Sequence, residues 1–397
     1  MRLWLHLIVS LSIAIFLTKK FTSTNDGRTD QLRSLKEYID HVLPITVPVT
    51  LEFGDTGFAF PDLVKATQIQ VDSHLKSIGQ ERYEVVLLDN LYVDPLRNSS
   101  ITAVDHNSTS NDYAVEMVHA SENFVVIDSN KLKAFNFYSS AAIHENDIPY
   151  FVAQCILYHL LRTDLSLLQR PNATVYLPQL HVNLVSVFLN GDDYIDIPTE
   201  EYKREVLHDF LKEVSYYCSV KVQCHTLNST ENSITDDLRQ FESKDTLNLI
   251  YSHVSNKYRL LNLLPSHDIS YFDFREPVVT RQDLWPFLYH VRNAIASYLE
   301  LPAFPRDNIR MKLWAMKKHN TIKFLLETVT TLQQFDRSCN TSSMSRKKYQ
   351  SEVEEIVGTI ASFNNNKTQP NWDILFQRSW TVLTNAQHVS AECSVVQ

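Results

Sequence analysis

The chain has 397 residues, 44% of them hydrophobic and 21% charged, with 46 acidic against 37 basic side chains and a formal net charge of -9. That composition fits a globular protein with one large core or two moderate ones; it excludes bulk disorder and a general affinity for phosphate backbones. Glycine is scarce, with 6 residues where an average of about 7% would supply several times more. Gly27, Gly54, Gly57, Gly79, Gly191 and Gly358 cannot build a G-x-G-x-x-G, a P-loop or a G-x-S-x-G elbow.

The first element is an apolar run, Leu3 to Leu17, with Arg2 before it and Lys19-Lys20 after it. Its length falls between a signal-peptide core and a full membrane span, and no clean small-x-small cleavage site follows. Residues 1–20 read as a signal anchor, with a cleaved signal peptide as the alternative. Leu32 to Leu43 has the apolar spacing of a short helix, and Val47 to Phe53 is a β-branched, alternating strand. Leu63 to Ile78 has helical period. Tyr83 to Val93 is almost continuously apolar and reads as a central strand. Arg97 to Asp112 is a polar loop, Phe124 to Ile127 a strand, and Pro149 to Leu161 a buried helix opened by proline.

The theme then repeats. Val175 to Asn190 is a long strand, Thr199 to Ser215 an amphipathic helix, and Ser219 to Leu227, Thr246 to Val254 and Ile269 to Phe274 are strands. From Arg281 the pattern turns helical: Asp283 to Glu300, Ile309 to Phe335, Lys348 to Ser362 and Trp372 to His388. The fold class expected is α/β, a mixed sheet flanked by helices, with a C-terminal helical hairpin or bundle behind an N-terminal membrane anchor. The boundaries expected are 1–20 for the anchor, 21–280 for a lumenal α/β domain and 281–397 for the helical region.

Six sequons, at Asn98, Asn107, Asn172, Asn228, Asn340 and Asn366, favour a lumenal body and are the candidate glycosylation sites. An oxidising lumen permits disulfides among Cys155, Cys218, Cys224, Cys339 and Cys393. Cys218 and Cys224 are the favoured pair; the alternative is two small buried apolar residues.

Catalytic signals are weak. Cys155 and His159 stand four apart on one helix, but Val152, Cys155, Ile156 and His159 read as its core-facing stripe, an unpromising place for a nucleophile. No H-E-x-x-H or C-x-x-C occurs. The clusters His144-Glu145-Asn146-Asp147, His267-Asp268 and His208-Asp209 read as surface composition. The carboxylate pairs Glu200-Glu201 and Glu354-Glu355 read as wet helix faces. Trp285, Phe287, Tyr289 and Trp314 form an aromatic stripe that reads first as core. As a second reading, Trp285 and Trp314 are candidate contacts for another subunit. No catalytic residue, cofactor site or metal site is assigned.

Several segments, taken in order, resemble one family. Val47-Pro48-Val49-Thr50 looks like its V-P-V-T strand, and Lys133-Ala134-Phe135-Asn136 like its A-F-N ahead of a helix. Phe188-Leu189-Asn190 with Asp192 is similar to a strand ending L-L-N-x-D, and Leu247-Asn248-Leu249-Ile250-Tyr251 to L-N-F-L-x-Y. Asp307, Leu313, Trp314, Ala315 and Asn320 resemble D-R-L-L-W-A-x-x-x-x-N, and Thr328 with Thr330-Thr331-Leu332 resembles T-x-T-T-L. The last helix, Trp372 to Ala386, sits where that family places its final lumenal helix. The family is the phosphatidylinositol glycan class S (PIG-S) subunit of the glycosylphosphatidylinositol (GPI) transamidase. Family members carry a second membrane span near the C-terminus, where this chain has only Val395-Val396 before Gln397. The resemblance implies a non-catalytic scaffold subunit in the endoplasmic reticulum membrane, with the bulk of the chain lumenal. Its partners would be the other transamidase subunits, including the cysteine-protease-like catalytic one, together with the membrane and no nucleic acid. A secreted hydrolase with an unrecognised site and a lumenal binding module are the alternatives.

Overall fold

The computed structural model describes residues 26–53, 60–80, 82–89, 113–128, 132–139, 143–168, 176–189, 199–243, 246–264, 267, 269–272, 281–301, 309–338, 343–365 and 371–395. The fold is α/β, and the chain divides into two compact units. Unit 1 joins Met1–Pro171 to Ala315–Gln397, and unit 2 is Asn172–Trp314. The boundary expected at 280 is therefore corrected. The helix that follows it belongs with unit 2, and most of the C-terminal helical region belongs with the first α/β segment.

Unit 1 is built on five strands: β1 (Ile45–Phe53), β2 (Tyr83–Asp89), β3 (Tyr113–His119), β4 (Phe124–Asp128) and β5 (Lys133–Tyr138). Their order is β2-β1-β3-β5-β4, parallel throughout except that β4 runs antiparallel to β5. Side chains alternate between the two faces of a strand. Val47, Val49, Leu51, Tyr83, Val85, Tyr113, Val115, Met117, Ala134 and Tyr138 line the buried face. β2 is an edge strand, not a central one, although its sequence is nearly all apolar. Among its described side chains only the alternate ones, Tyr83, Val85 and Leu87, are buried.

The free edge of β2 is closed by a side chain. Helix α2 (Phe60–Ser77) follows helix α1 (Asp26–Glu37), and its Gln68 lies against that edge. The Gln68 amide donates to the Val85 carbonyl at 2.7 Å and accepts from the Leu87 N–H at 3.0 Å. The side chain thus pairs with β2 much as a neighbouring strand would. α1 ends in a π turn, Tyr38–Val42, whose carbonyls need partners. Arg82 supplies them, donating to Asp40, to Ile39 at 2.5 Å and to Leu43 at 3.3 Å. α2 ends at Gly79, where φ is +70°, with the Gln80 N–H on the Leu75 carbonyl at 2.9 Å. That left-handed cap favours glycine.

Helix α3 (Ile148–Cys155) runs into a second π turn, Ile156–Leu160, and then α4 (Arg162–Leu168). The wider turn, closed by the Leu161 N–H on the Ile156 carbonyl at 2.9 Å, shifts the helical phase. His159 is therefore exposed while Cys155 is buried, which corrects the shared core-facing stripe expected of them.

Unit 2 carries four parallel strands, β6 (Gln179–Leu189), β7 (Ser219–Ser229), β8 (Thr246–His253) and β9 (Ile269–Phe272), in the order β7-β6-β8-β9. Helices α5 (Thr199–Ser215), α6 (Ile234–Arg239) and α7 (Lys257–Leu263) make the crossovers, and α8 (Arg281–Tyr298) packs on α5. Val185, Val187, Leu189, Leu227, Ile250 and Leu260 form its core with residues of α6. Arg292 of α8 lies over the Phe210 ring at 5.1 Å.

The last three helices are α9 (Ile309–Ser338), α10 (Ser343–Asn365) and α11 (Trp372–Val395). α9 buries polar residues along its length, including Thr321 and Thr328 at 0% exposure. Their hydroxyls donate to the carbonyls one turn back, Lys317 at 2.7 Å and Phe324 at 2.6 Å, so burial leaves them bonded. α10 packs along α11, and Phe324 of α9 meets Phe376 and Trp380 of α11 at 5.7 and 5.1 Å between ring centroids. Trp372 is 1% exposed and donates its indole N–H to the Thr46 carbonyl of β1 at 3.2 Å. Among the described residues no helix is long and apolar enough to cross a membrane, and the Leu3 to Leu17 run lies outside them.

Candidate functional site

The densest polar constellation of unit 1 lies inside it, not in a cleft. Asp164 on α4 and Lys318 on α9 form an ion pair with both side chains 2% exposed. Tyr113 of β3 donates its hydroxyl to the other Asp164 oxygen at 2.6 Å, and the Lys318 ammonium stands 4.6 Å from the centre of the Tyr113 ring. Tyr83 of β2 joins them, its hydroxyl buried within reach of the Asp164 charge. Burial, and then the Asp164 charge, push both phenols well above their ordinary value near 10.0. Two charges taken out of water survive only when well paired and hydrogen-bonded. Here the pair, the phenol and the cation–π contact compensate one another. The arrangement joins α4, α9 and two strands, and substrate cannot reach a pair so deeply covered.

A second cluster sits on the other face of the same sheet. Lys133, at the start of β5, reaches Glu52 of β1 at 2.5 Å and Glu116 of β3 at 2.6 Å. The register places Glu52 opposite Glu116, so one ammonium spans two like charges that would otherwise repel. Burial opposes the Lys133 charge, but the two carboxylates outweigh it and hold its pKa above 10.5.

In unit 2 a row of amides crosses the strands. Asn183 donates to Asn248 at 2.9 Å, His225 meets the Asn183 oxygen at 3.1 Å, and Asn248 donates to the Phe241 carbonyl at 3.1 Å. The row satisfies polar groups at the edge of the core. Between α10 and α11 lies an open groove of about 380 Å³ that includes Glu352, Glu355, Arg378 and Asn385. Arg378 pairs with Glu355 at 3.2 Å, while burial and the Glu355 charge raise the Glu352 pKa against an Asn385 hydrogen bond.

The residues singled out in sequence do not converge. Cys155 is 2% exposed, and burial pushes its thiol up to about 12, where it is inert as a nucleophile. No disulfide joins Cys218 and Cys224, which corrects the pairing expected of them. Cys218 stands immediately before β7 and Cys224 lies within it. Six residues of extended chain cover about 20 Å, whereas a disulfide needs α-carbons closer than about 7 Å. Burial also drives the Cys218 thiol up to about 12. Cys339 and the Cys393 side chain lie outside the described residues.

Asn228 is exposed on β7, open to solvent, while Asn98, Asn107, Asn172, Asn340 and Asn366 lie outside the described residues. Trp314 is 7% exposed, so it packs within the chain and offers a partner little surface. The Trp285 side chain lies outside the described residues. His208, Asp209, His144, Glu354 and Glu355 are exposed. Among the described residues no group of three or more His, Cys, Asp or Glu could hold a metal ion.

Sequence reading missed Asp164, Lys318, Tyr113 and Tyr83. They sit on four separate elements with no common spacing, so no local signal marks them. No protein-family model matches this chain, and no curated protein matches it.

Proposed function

We propose that this chain is a non-catalytic, membrane-anchored subunit of the GPI transamidase. In this reading it supports the attachment of GPI anchors to proteins in the endoplasmic reticulum as a lumenal scaffold. The support is the order and spacing of the segments that resemble the PIG-S family. The observation that carries most is the burial of the α9 motif. Leu313, Trp314, Ala315, Asn320, Thr328 and Leu332 are buried in that helix, while Thr330 and Thr331 are half-buried. Residues packed inside answer to the fold rather than to a surface, and this is why the resemblance is read as one of architecture. The Leu3 to Leu17 run would be the anchor, and the catalytic thiol would belong to the cysteine-protease-like partner.

The test is to tag the full chain, solubilise its membranes in mild detergent and identify what co-purifies in stoichiometric amount. The reading expects the other transamidase subunits. Recovery of a soluble, monomeric chain without them overturns it in favour of a secreted hydrolase or a binding module. Loss of a mobility shift on Asn228→Gln, seen alongside glycosidase digestion, would report lumenal exposure of unit 2 independently.

A further inference from the structure

The sheet of unit 2 is covered unequally on one of its faces. Val185, Val187, Leu189, Leu227 and Ile250 of that face pack against Ile234 and Leu238 of α6 and Leu260 of α7. Those two helices have six and seven residues, a length of about 10 Å. The eleven residues of β6 run about 36 Å. The helices therefore roof only the half of the face toward the carboxyl ends of the strands. The register lays out the other half in rows: Lys221, His181 and Thr246; Gln223, Asn183 and Asn248; then His225 beside the first core residues, Val185 and Ile250. Helices normally cover both faces of a parallel sheet. Here Lys221 and Gln223 are exposed, and His181, Thr246, Asn248 and His225 are half-buried.

Two properties of these rows specify a ligand. The first is an imidazole of fixed tautomer. The Phe241 carbonyl can only accept, so the Asn248 amide donates to it and turns its oxygen to Asn183. Asn183 donates to that oxygen and turns its own to His225. Neutral His225 thus carries its proton on Nε2 and presents a bare Nδ1, an acceptor that calls for a donor. The second property is charge. The rows hold a lysine and no carboxylate, in a chain of net charge -9. Among the described residues no acid pairs with Lys221.

We infer that this half-face binds a sugar chain that carries an anionic group. The anion sits on Lys221 with His181 beside it, and hydroxyls meet Gln223 and the bare Nδ1 of His225. A simple anion offers acceptors only and leaves that nitrogen unmatched, whereas a hydroxyl both donates and accepts. Four residues of β7 separate Lys221 from His225, about 13 Å, a span that takes more than one sugar ring. The inference does not depend on the transamidase reading.

The test titrates the full chain, purified in mild detergent, with tri-galacturonic acid, sucrose 6-phosphate, neutral maltotriose and inorganic phosphate, followed by calorimetry. One or both acidic sugars should bind at least about tenfold more tightly than maltotriose and than phosphate, and the preferred one tells carboxylate from phosphate. Lys221→Gln and Gln223→Glu change exposed positions and should leave the thermal transition in place. Each should weaken the binding at least about tenfold, the first by removing the cation and the second by adding a carboxylate. In nitrogen NMR of histidine-labelled protein, the unprotonated Nδ1 of His225, assigned by its loss in His225→Gln, should shift when the sugar is added. The inference is overturned if neither acidic sugar binds at millimolar concentration, or if maltotriose or phosphate binds as tightly as they do. An affinity indifferent to both substitutions, or a His225 proton on Nδ1, overturns it as well.

Discussion

Lys318 and Asp164 meet as a closed ion pair inside unit 1, each 2% exposed, although one lies on a C-terminal helix and the other on a helix of the N-terminal half. Lys317, the preceding residue, pairs with Asp373 of α11 at 2.5 Å. Adjacent lysines on α9 thus hold two different elements. Lys318→Met should destabilise the chain by about 3–5 kcal/mol, because it leaves the Asp164 carboxylate buried with only the Tyr113 hydrogen bond. The double variant Lys318→Met with Asp164→Leu should recover most of that loss. Urea unfolding of the three proteins checks it; a double variant no better than the single one would mean that the pair is not what the site needs.

Alkaline pH should unfold the protein in a cooperative step. Tyr83 and Tyr113 are buried as neutral phenols, with folded pKa values well above 10.0. A raised folded pKa means that their stabilisation is complete below the unfolded value near 10 and is lost as pH rises from there toward the folded values. Tyrosinate absorbance followed against circular dichroism should show a fraction of the phenols ionising only together with the loss of structure. Smooth ionisation of all of them ahead of unfolding would contradict the burial described.

Thiol reagents should divide the described cysteines into two classes. Cys155 and Cys218 are buried, with pKa values of about 12, so at pH 8 they react only when the chain opens. Cys224 is half-buried and should react fastest. Mass spectrometry of the native protein after brief alkylation gives the order. An intact Cys218–Cys224 disulfide in that experiment would refute the arrangement of β7.

Gln68→Ala should cost about 1–3 kcal/mol, since it removes the two hydrogen bonds to β2 and an exposed one to Asp72 and uncovers the β2 edge. It should also raise aggregation at concentrations where the parent stays monomeric. Light scattering beside urea unfolding separates the two effects.

Glu300 ends α8 with φ at +55°, in the same kind of cap that Gly79 makes at the end of α2. A side chain in that region carries strain of about 1 kcal/mol. Glu300→Gly should therefore raise stability by a fraction of that amount after the extra freedom of the unfolded glycine is subtracted, whereas Gly79→Ala should lower it. Thermal unfolding of both variants measures the contrast.

The sequence by itself determined most of the elements. Alternation marked β1 and β6, and helical period marked α2, α5 and α9, because each signal lies within a few turns of chain. β3 and β5 escaped notice. Tyr113 to His119 follows a long polar segment, and Lys133 to Tyr138 begins with the lysine that spans Glu52 and Glu116. The tertiary structure decided the rest. Whether an apolar strand is central or at an edge depends on what lies beside it, and Gln68 could take that place for β2 only after α2 had docked. His159 left the core through a π turn that no spacing rule announces. The pairing of Lys318 with Asp164 and the division into a discontinuous and a continuous unit arise from long-range contact, where burial acts on residues that the chain keeps far apart.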